Sequence, residues 1–315
     1  MTMELQEVAA WLMRHDNYLL ITHRRPDGDT LGSAAALCHA LRRLGKTAHL
    51  YRNPEITETF LPFTAPYLAP DGYEGKTVVS VDVADTRILP LGVEGQIDLR
   101  LDHHVTESDM SPRNIVWSDK AACGELILAL IDLLCGGIDK EEADLLYIAL
   151  STDTGCFVYA NTKADTFAAA SRLLEAGADL PKLNKILFRT KSREKLALEG
   201  MVFSSLRSYK DCAINIAIIT LDMLERSGVT EDDCNDLASL AGLVKGNRVA
   251  ITVRELSTDP PMSKVSLRTD GSVDASVICE RFGGGGHKMA SGCELPMTAW
   301  GTAETIRLAV EEAWA

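Results

Sequence analysis

Short apolar segments alternate with helical ones along the first 175 residues, and several of the apolar segments run straight into His or Asp. Residues 4–14 have the spacing of an amphipathic helix. Tyr18-Leu19-Leu20-Ile21-Thr22-His23 reads as a buried strand and Asp27-Gly28-Asp29 as a turn. Residues 30–44 follow as a helix, with Leu31, Ala35, Leu37, Leu41 and Leu44 on its core face. Further strands are expected at 48–52, 77–83, 97–101 and 115–117, and helices at 121–134, 141–150 and 163–175. This alternation predicts an α/β fold, a mostly parallel sheet with helices on both faces. Ligands of such sheets bind beyond the carboxyl ends of the strands. His23, Asp82 and Asp102-His103-His104 fall at those ends. A functional cleft has this pattern, whereas scattered structural polar residues do not.

The texture changes after residue 190. Residues 191–209 are charged and helical and read as a connector, which makes 1–190 one domain. A smaller α/β domain is expected over 210–315, with strands at 213–220, 248–256 and 264–268 and helices near 231–240 and 273–281. It ends in a glycine run, Gly283-Gly284-Gly285-Gly286, followed by His287. No internal repeat is visible.

The formal net charge is −13, from 45 acids against 32 bases. Proteins that hold long nucleic acid through its phosphates are usually basic, so no such grip is expected. A small phosphorylated substrate is not excluded, because bound divalent cations invert the local field. None of the eight cysteines (Cys38, Cys123, Cys135, Cys156, Cys212, Cys234, Cys279 and Cys293) forms a C-x-x-C pair. Free thiols in a reducing cytoplasm are the expectation. No apolar stretch reaches the roughly 18 residues a membrane span needs, and no secretory leader is recognisable.

His23, Asp27, Asp29, Asp82, Asp102, His103, His104 and Asp153 form a set of imidazoles and carboxylates. Such a set suits Mn, Mg, Fe or Zn-type cations rather than a thiolate site. Each piece alone has a plainer explanation. A His after a strand is most often structural, Asp-Gly-Asp is most often a turn, and Asp102-His103-His104 could be a solvated loop. Their joint position at the ends of one sheet changes the balance.

Four segments, H-R-R-P-D-G-D at 23–29, V-D-V-A-D-T-R at 81–87, D-H-H at 102–104 and T-D-T-G-C-F at 152–157, occur in that order. They resemble the motifs of the DHH phosphoesterase superfamily. G-G-G-G-H-K-M-A-S-G at 283–292 resembles the glycine-rich signature of the DHH-associated C-terminal domain, with Ser291 where a second alanine is common and Gly283 as an extra residue in front. The resemblance covers nearly the whole chain. It implies one cation on His23, Asp27 and Asp82 and a second on Asp29, Asp82, His103 and Asp153, with Asp82 shared. It also implies that His104 contacts the scissile phosphate and that Asp102 orients an imidazole. Asp85 fits the trailing acid of its motif and reads as structural.

The cofactors so implied are two divalent cations, Mn first, with Mg, Co or Fe as alternatives. Gly284, Gly285, Gly286 and His287 are expected to bind substrate phosphate, since glycine lets backbone N–H groups approach an anion. Lys288, Arg248 and Arg268 are further basic candidates. The type most resembled is the bacterial or archaeal oligoribonuclease/pAp phosphatase, which acts on very short RNA and on 3′-phosphoadenosine 5′-phosphate (pAp). That implies a ruler, with one phosphate at the cations and the other end of the substrate at the glycine run. The alternative is a cyclic or linear dinucleotide phosphodiesterase. An inorganic pyrophosphatase or a non-catalytic nucleotide-binding regulator fits less well, the latter because every expected ligand is present. The partner is a short RNA or nucleotide, no membrane contact is expected, and a homodimer is compatible with the sequence.

Overall fold

A computed structural model describes residues 2–314 apart from 94, 107 and 230, and the side chains of 231–236 also lie outside the description. The chain forms two compact units, Met1–Thr190 and Lys191–Ala315.

The first unit begins with α1 (Leu5–Arg14), β1 (Tyr18–Ile21), α2 (Gly28–Arg43), β2 (Ala48–Leu50), the short α3 (Leu61–Thr64) and β3 (Thr77–Val81). It continues with β4 (Leu99–Asp102), β5 (Asn114–Val116), α4 (Cys123–Cys135), α5 (Lys140–Asp153), α6 (Ala164–Glu175) and α7 (Leu180–Asn184). The strand order is β2-β1-β3-β4-β5, and every pairing is parallel. The α/β class and parallel sheet expected from the sequence are therefore the ones observed. The strand residues Leu20, Val79, Leu99 and Leu101 are fully buried in a core shared with α1, α2, α4 and α5. Burial of each such side chain contributes roughly 1.5–3 kcal/mol.

Two helices position the site. Asp27 caps α2 and accepts the N–H groups of Asp29 (3.0 Å) and Thr30 (3.2 Å). A Cβ on Gly28 would strike the side chain of Thr152, and one on Gly32 the carbonyl of Leu145. Glycine at these two positions lets α2 lie backbone-close against α5, which brings Asp29 within reach of the end of α5. A capping box of Asp139 and Glu142 starts α5. The helix expected over 141–150 extends to Asp153, so that carboxylate is the last residue of a helix rather than part of a free turn.

The second unit contains α8 (Arg193–Ser204), β6 (Arg207–Tyr209), β7 (Ile214–Ile219), α9 (Leu221–Ser227), a 3-10 segment (Glu231–Leu243), β8 (Val249–Thr258), β9 (Pro261–Thr269), α10 (Ala275–Glu280), β10 (Gly285–His287), β11 (Ala290–Leu295) and α11 (Ala299–Ala313). Its sheet order is β10-β11-β9-β8-β7-β6, antiparallel except for the parallel β7–β8 pair. Residues 191–209, read as a connector, contribute α8 and the edge strand β6 to this unit. Strands β10 and β11 have no counterpart in the sequence reading. They are glycine-rich and carry little apolar alternation, so pattern alone does not mark them.

Seven of the cysteines are free thiols, Cys38, Cys123, Cys279 and Cys293 among them buried. The side chain of Cys234 lies outside the description. Among the described residues no helix is long and apolar enough to cross a membrane.

Candidate metal centre

The parallel strands deliver their polar residues to one edge. His23 lies two residues beyond β1, Asp82 directly follows β3, and Asp102 ends β4 with His103 and His104 after it. Asp29 comes from the first turn of α2 and Asp153 from the end of α5.

Two groups of possible ligand atoms, one from His23, Asp27 and Asp82 and one from Asp29, His103 and Asp153, each lie within 4.8 Å of one another. Asp82 stands between the two. Its Oδ2 is 3.9 Å from His23 Nε2 and its Oδ1 is 3.4 Å from His103 Nε2. His23 Nε2 is also 3.6 Å from Asp27 Oδ1. His103 Nε2 is 3.7 Å from Asp29 Oδ2 and 3.6 Å from Asp153 Oδ2.

The tautomers are set by backbone carbonyls. Nδ1 of His23 faces the carbonyl of Arg24 at 2.8 Å, and Nδ1 of His103 faces that of Lys120 at 3.2 Å. A carbonyl can only accept, so each Nδ1 is the protonated nitrogen and each Nε2 is left to coordinate. This arrangement is usual for metal-bound imidazole.

The charges favour a cation. Burial pushes the Asp29 carboxyl well above its ordinary range, and the charges of Asp82 and Asp153 push it further. Asp153 is raised to about 6, by burial first. Burial alone would depress the two imidazoles, yet Asp27 and Asp82 hold His23 at about 9, and the carboxylates of Asp82, Asp29 and Asp153 hold His103 at about 10. Asp82 Oδ1 is buried without a hydrogen-bond partner. An orphaned buried carboxylate oxygen is costly. Facing imidazole nitrogens and other carboxylates, it is a site that oxygen- and nitrogen-binding divalent cations fit.

The backbone supports this placement. Asp82 adopts φ +58°, a conformation that costs a non-glycine residue about 1–3 kcal/mol and recurs at functional sites. Its N–H is fixed by the carbonyl of Leu101 at 2.8 Å. Asp29 is fixed as well, accepting the N–H groups of Cys123 (2.6 Å) and Gly124 (3.0 Å) at the start of α4 and the hydroxyl of Ser33 (3.0 Å). A carboxylate offers about four lone-pair sites, so capacity for a cation remains.

His104 differs from the other two histidines. It is the most exposed of the three, and its Nδ1 lies 2.9 Å from Asp102 Oδ1 and 3.5 Å from Asp82 Oδ1. It can therefore be grouped with Asp82 and His103 as a ligand, but its closest partner is Asp102. The hydrogen bond to Asp102 raises the His104 pKa, with burial opposing it. Asp102 is fully buried and also accepts the N–H of His103 at 2.8 Å.

Arg100 escaped the sequence reading. It is buried, ion-paired with Asp102, and donates Nε–H to the carbonyl of Val83 at 3.1 Å. The signal was present, because Arg100 and Asp102 are two apart in a strand and so share a face. A buried guanidinium needs such a partner. Asp85 is turned away, capping a 3-10 turn (Thr86–Ile88) and pairing with Arg87. Its carboxyl is held below the usual range by Arg87.

In the second unit Gly285–His287 is strand β10, and His287 and Lys288 are exposed. His287 sits opposite Ala290, and Ala290 opposite Arg268, so His287 and exposed Arg268 share one row on one face of the sheet. Part of the glycine requirement is packing. A Cβ on Gly284 would meet the carbonyl of Gly292, and one on Gly286 would lie 2.5 Å from Ser291 Oγ. Gly285 is open. The structure does not bring Arg248 into the row as a free cation. It pairs with Asp270 at 2.9 Å and lies 5.1 Å over the Trp314 ring.

An α/β parallel sheet with imidazoles and carboxylates gathered at its strand ends, followed by a glycine-rich sheet unit, matches two domain families in order. Residues 17–150 match the N-terminal domain of the DHH family and residues 214–315 the DHHA1 domain. The chain belongs to the DHH family. It is 33% identical over 280 residues to the bifunctional oligoribonuclease and PAP phosphatase NrnA of Thermus thermophilus, covering 88% of this chain and 83% of that one. The protein of the same name from Bacillus subtilis is 26% identical over 313 residues, 95% of each chain. An exopolyphosphatase-related protein from Bacteroides fragilis shares the fold with a TM-score of 0.85 at 24% identity, over 98% of this chain and 95% of that one.

Proposed function

We propose that this protein is a metal-dependent phosphoesterase that hydrolyses short oligoribonucleotides and 3′-phosphoadenosine 5′-phosphate, with two divalent cations, Mn foremost. The observation that carries the reading is the position of Asp82, a buried carboxylate between two His/Asp groups. The relatives named as oligoribonuclease and PAP phosphatase support the substrate class.

His23, Asp27 and Asp82 would hold one cation, and Asp29, Asp82, His103 and Asp153 the other. Cations bound there lower the pKa of water to near 7 and offset the charge that develops on phosphoryl oxygens. The chain supplies the rest. Carbonyls of Arg24 and Lys120 keep both imidazoles in the coordinating tautomer. The amides of Cys123 and Gly124 hold Asp29 still. His104, steadied by Asp102 and Arg100, presents its other ring nitrogen as a donor to a phosphoryl oxygen, where a preorganised donor acts most strongly.

Activity should vanish on exhaustive chelation and return with Mn. A panel of pAp, a 5′-phosphorylated RNA dinucleotide, a longer RNA, cyclic di-AMP and pyrophosphate checks this and the substrate class together. Turnover that survives chelation overturns the metal reading, and preferential release of phosphate from pyrophosphate overturns the substrate reading.

In the second unit, Gly285, His287 and Arg268 form an exposed, partly basic surface to which we assign a contact with substrate phosphate. Hydrogen bonds to charged groups are worth roughly 1.5–3 kcal/mol. His287→Ala should therefore lower kcat/KM on dinucleotides by about 10-fold or more, with metal content unchanged. Across a ladder of 5′-phosphorylated oligoribonucleotides, cleavage should slow beyond about five nucleotides, since a chain of net charge −13 offers little of the cationic grip that long RNA needs. Equal rates on dimers and long RNA would overturn the preference for short substrates, and a His287→Ala variant indistinguishable from wild type would show that this surface takes no substrate phosphate.

A further inference from the structure

We propose that Tyr159 is a stacking platform for a nucleobase of the substrate, fixed beside the metal centre by a rigid turn. The inference deepens the function proposed above and rests on it.

The turn begins where α5 ends at Asp153. Gly155, Cys156 and Phe157 follow with φ of +56°, +58° and +66°. Three consecutive left-handed residues, two of them with side chains, occur only where the surroundings enforce them. The enforcing bonds come from buried groups. Cys156 donates its N–H to the carbonyl of Ser151 (2.6 Å), and Phe157 donates to Thr154 Oγ1 (3.0 Å). Val158 (2.9 Å) and Tyr159 (3.0 Å) both donate to the carbonyl of Thr154. Ser151 and Thr154 are fully buried. Further on, Asn161 Nδ2 ties the chain back to the carbonyl of Asp153 at 3.0 Å. The segment is thus closed onto a residue of the proposed metal site.

What this turn displays is apolar. Tyr159 is 59% exposed and Val158 80% exposed. The Tyr159 ring lies on Gly155, where any Cβ would run into it. The ring thus rests against Gly155 while more than half of the residue stays exposed. Among the described residues its hydroxyl makes no hydrogen bond. A large aromatic held this firmly loses little further freedom when a ligand docks, the condition under which stacking contributes most to binding.

The occupant follows from position. A nucleotide whose phosphate meets the groups around Asp153 carries, a few bonds away, a flat base with an apolar face. Stacking is tolerant of base identity, since every base has a π-face. A second copy of this chain is the competing occupant, and the test separates it.

Binding of adenosine 5′-monophosphate and of ribose 5-phosphate is measured by calorimetry on the Mn-loaded wild type, Tyr159→Ala and Tyr159→Phe. Wild type should prefer the base-bearing ligand by about 10-fold or more, the scale of one stacked base. Tyr159→Ala should lose that preference while keeping its affinity for ribose 5-phosphate, and Tyr159→Phe should retain it. In turnover of a 5′-phosphorylated dinucleotide, Tyr159→Ala should raise KM by a similar factor, with kcat little changed. Unaltered preference in Tyr159→Ala overturns the platform, as does equal loss for both ligands. A shift in sedimentation from dimer to monomer, with nucleotide binding intact, assigns the patch to a second copy instead. Wild type that binds with Tyr159 dependence but hydrolyses nothing in the panel would overturn the proposed reaction and keep the platform. Wild type that hydrolyses dinucleotides with no dependence on Tyr159 would do the reverse.

Discussion

Replacing Asp82 with Asn should abolish turnover while leaving the protein folded. Asn keeps the shape of the side chain and tolerates φ +58° as well as Asp does, so backbone strain is not a confounding cause. What changes is charge. Asp82 faces His23 on one side and His103 on the other, and an amide cannot serve as an anionic ligand to both of two cations. The expected loss is at least the 10²–10³-fold typical of removing one preorganised electrostatic group. In the metal-free protein the charge of Asp82 acts against Asp29 and Asp153 but in favour of the imidazoles of His23 and His103, so its loss should leave stability little changed. The rise in melting temperature that Mn gives the wild type should disappear, since a ligand stabilises only through the state it binds. Asp85→Ala is the control, its carboxylate being engaged with Arg87, and it should keep most of the activity. Equal losses at the two positions would mean that Asp82 does not join two cations.

His104→Ala should lower kcat by on the order of 100-fold with metal content unchanged, at about two ions per chain by elemental analysis. The reasoning is geometric. His103 has Nε2 within 3.4–3.7 Å of three carboxylates, whereas the nearest group to His104 is Asp102, itself locked by Arg100. That chain holds the ring without committing its Nε2. His103→Ala, by contrast, should lose metal. A His104→Ala protein that retains only one ion would identify His104 as a ligand, consistent with its 3.5 Å approach to Asp82, and would pass the phosphate-contact role to another donor. Arg100→Met tests the same chain from behind and should disturb Asp102 more than it disturbs metal content.

Much of the first unit was legible because it is written in local pattern. The runs at 18–21 and 77–81 are short and largely apolar, as buried parallel strands are, and the strand at 99–102 is marked by alternating Leu99 and Leu101. The second unit was less legible. Its β10 and β11 contain Gly286 and Gly292, where close approach leaves little room for a Cβ, and they carry little apolar alternation. The connector reading of 191–209 missed β6 for a related reason. Three residues of edge strand, Arg207-Ser208-Tyr209, offer too little pattern to register.

The sequence by itself determined the residue types of the site and their order. A His after the first strand, an Asp after the third and Asp-His-His after the fourth must meet at one edge once the strands are parallel, because every strand then ends on the same side. It could not determine which atom faces which. The protonated Nδ1 of His23 and His103 depends on two carbonyls placed by loops, and the grip on Asp29 depends on α4 starting 94 residues away. The strain at Asp82 and the turn that displays Tyr159 depend on bonds from Leu101, Ser151 and Thr154. Those are matters of distance and direction between segments remote in the chain or folded back on themselves. Only the packed tertiary structure fixes them.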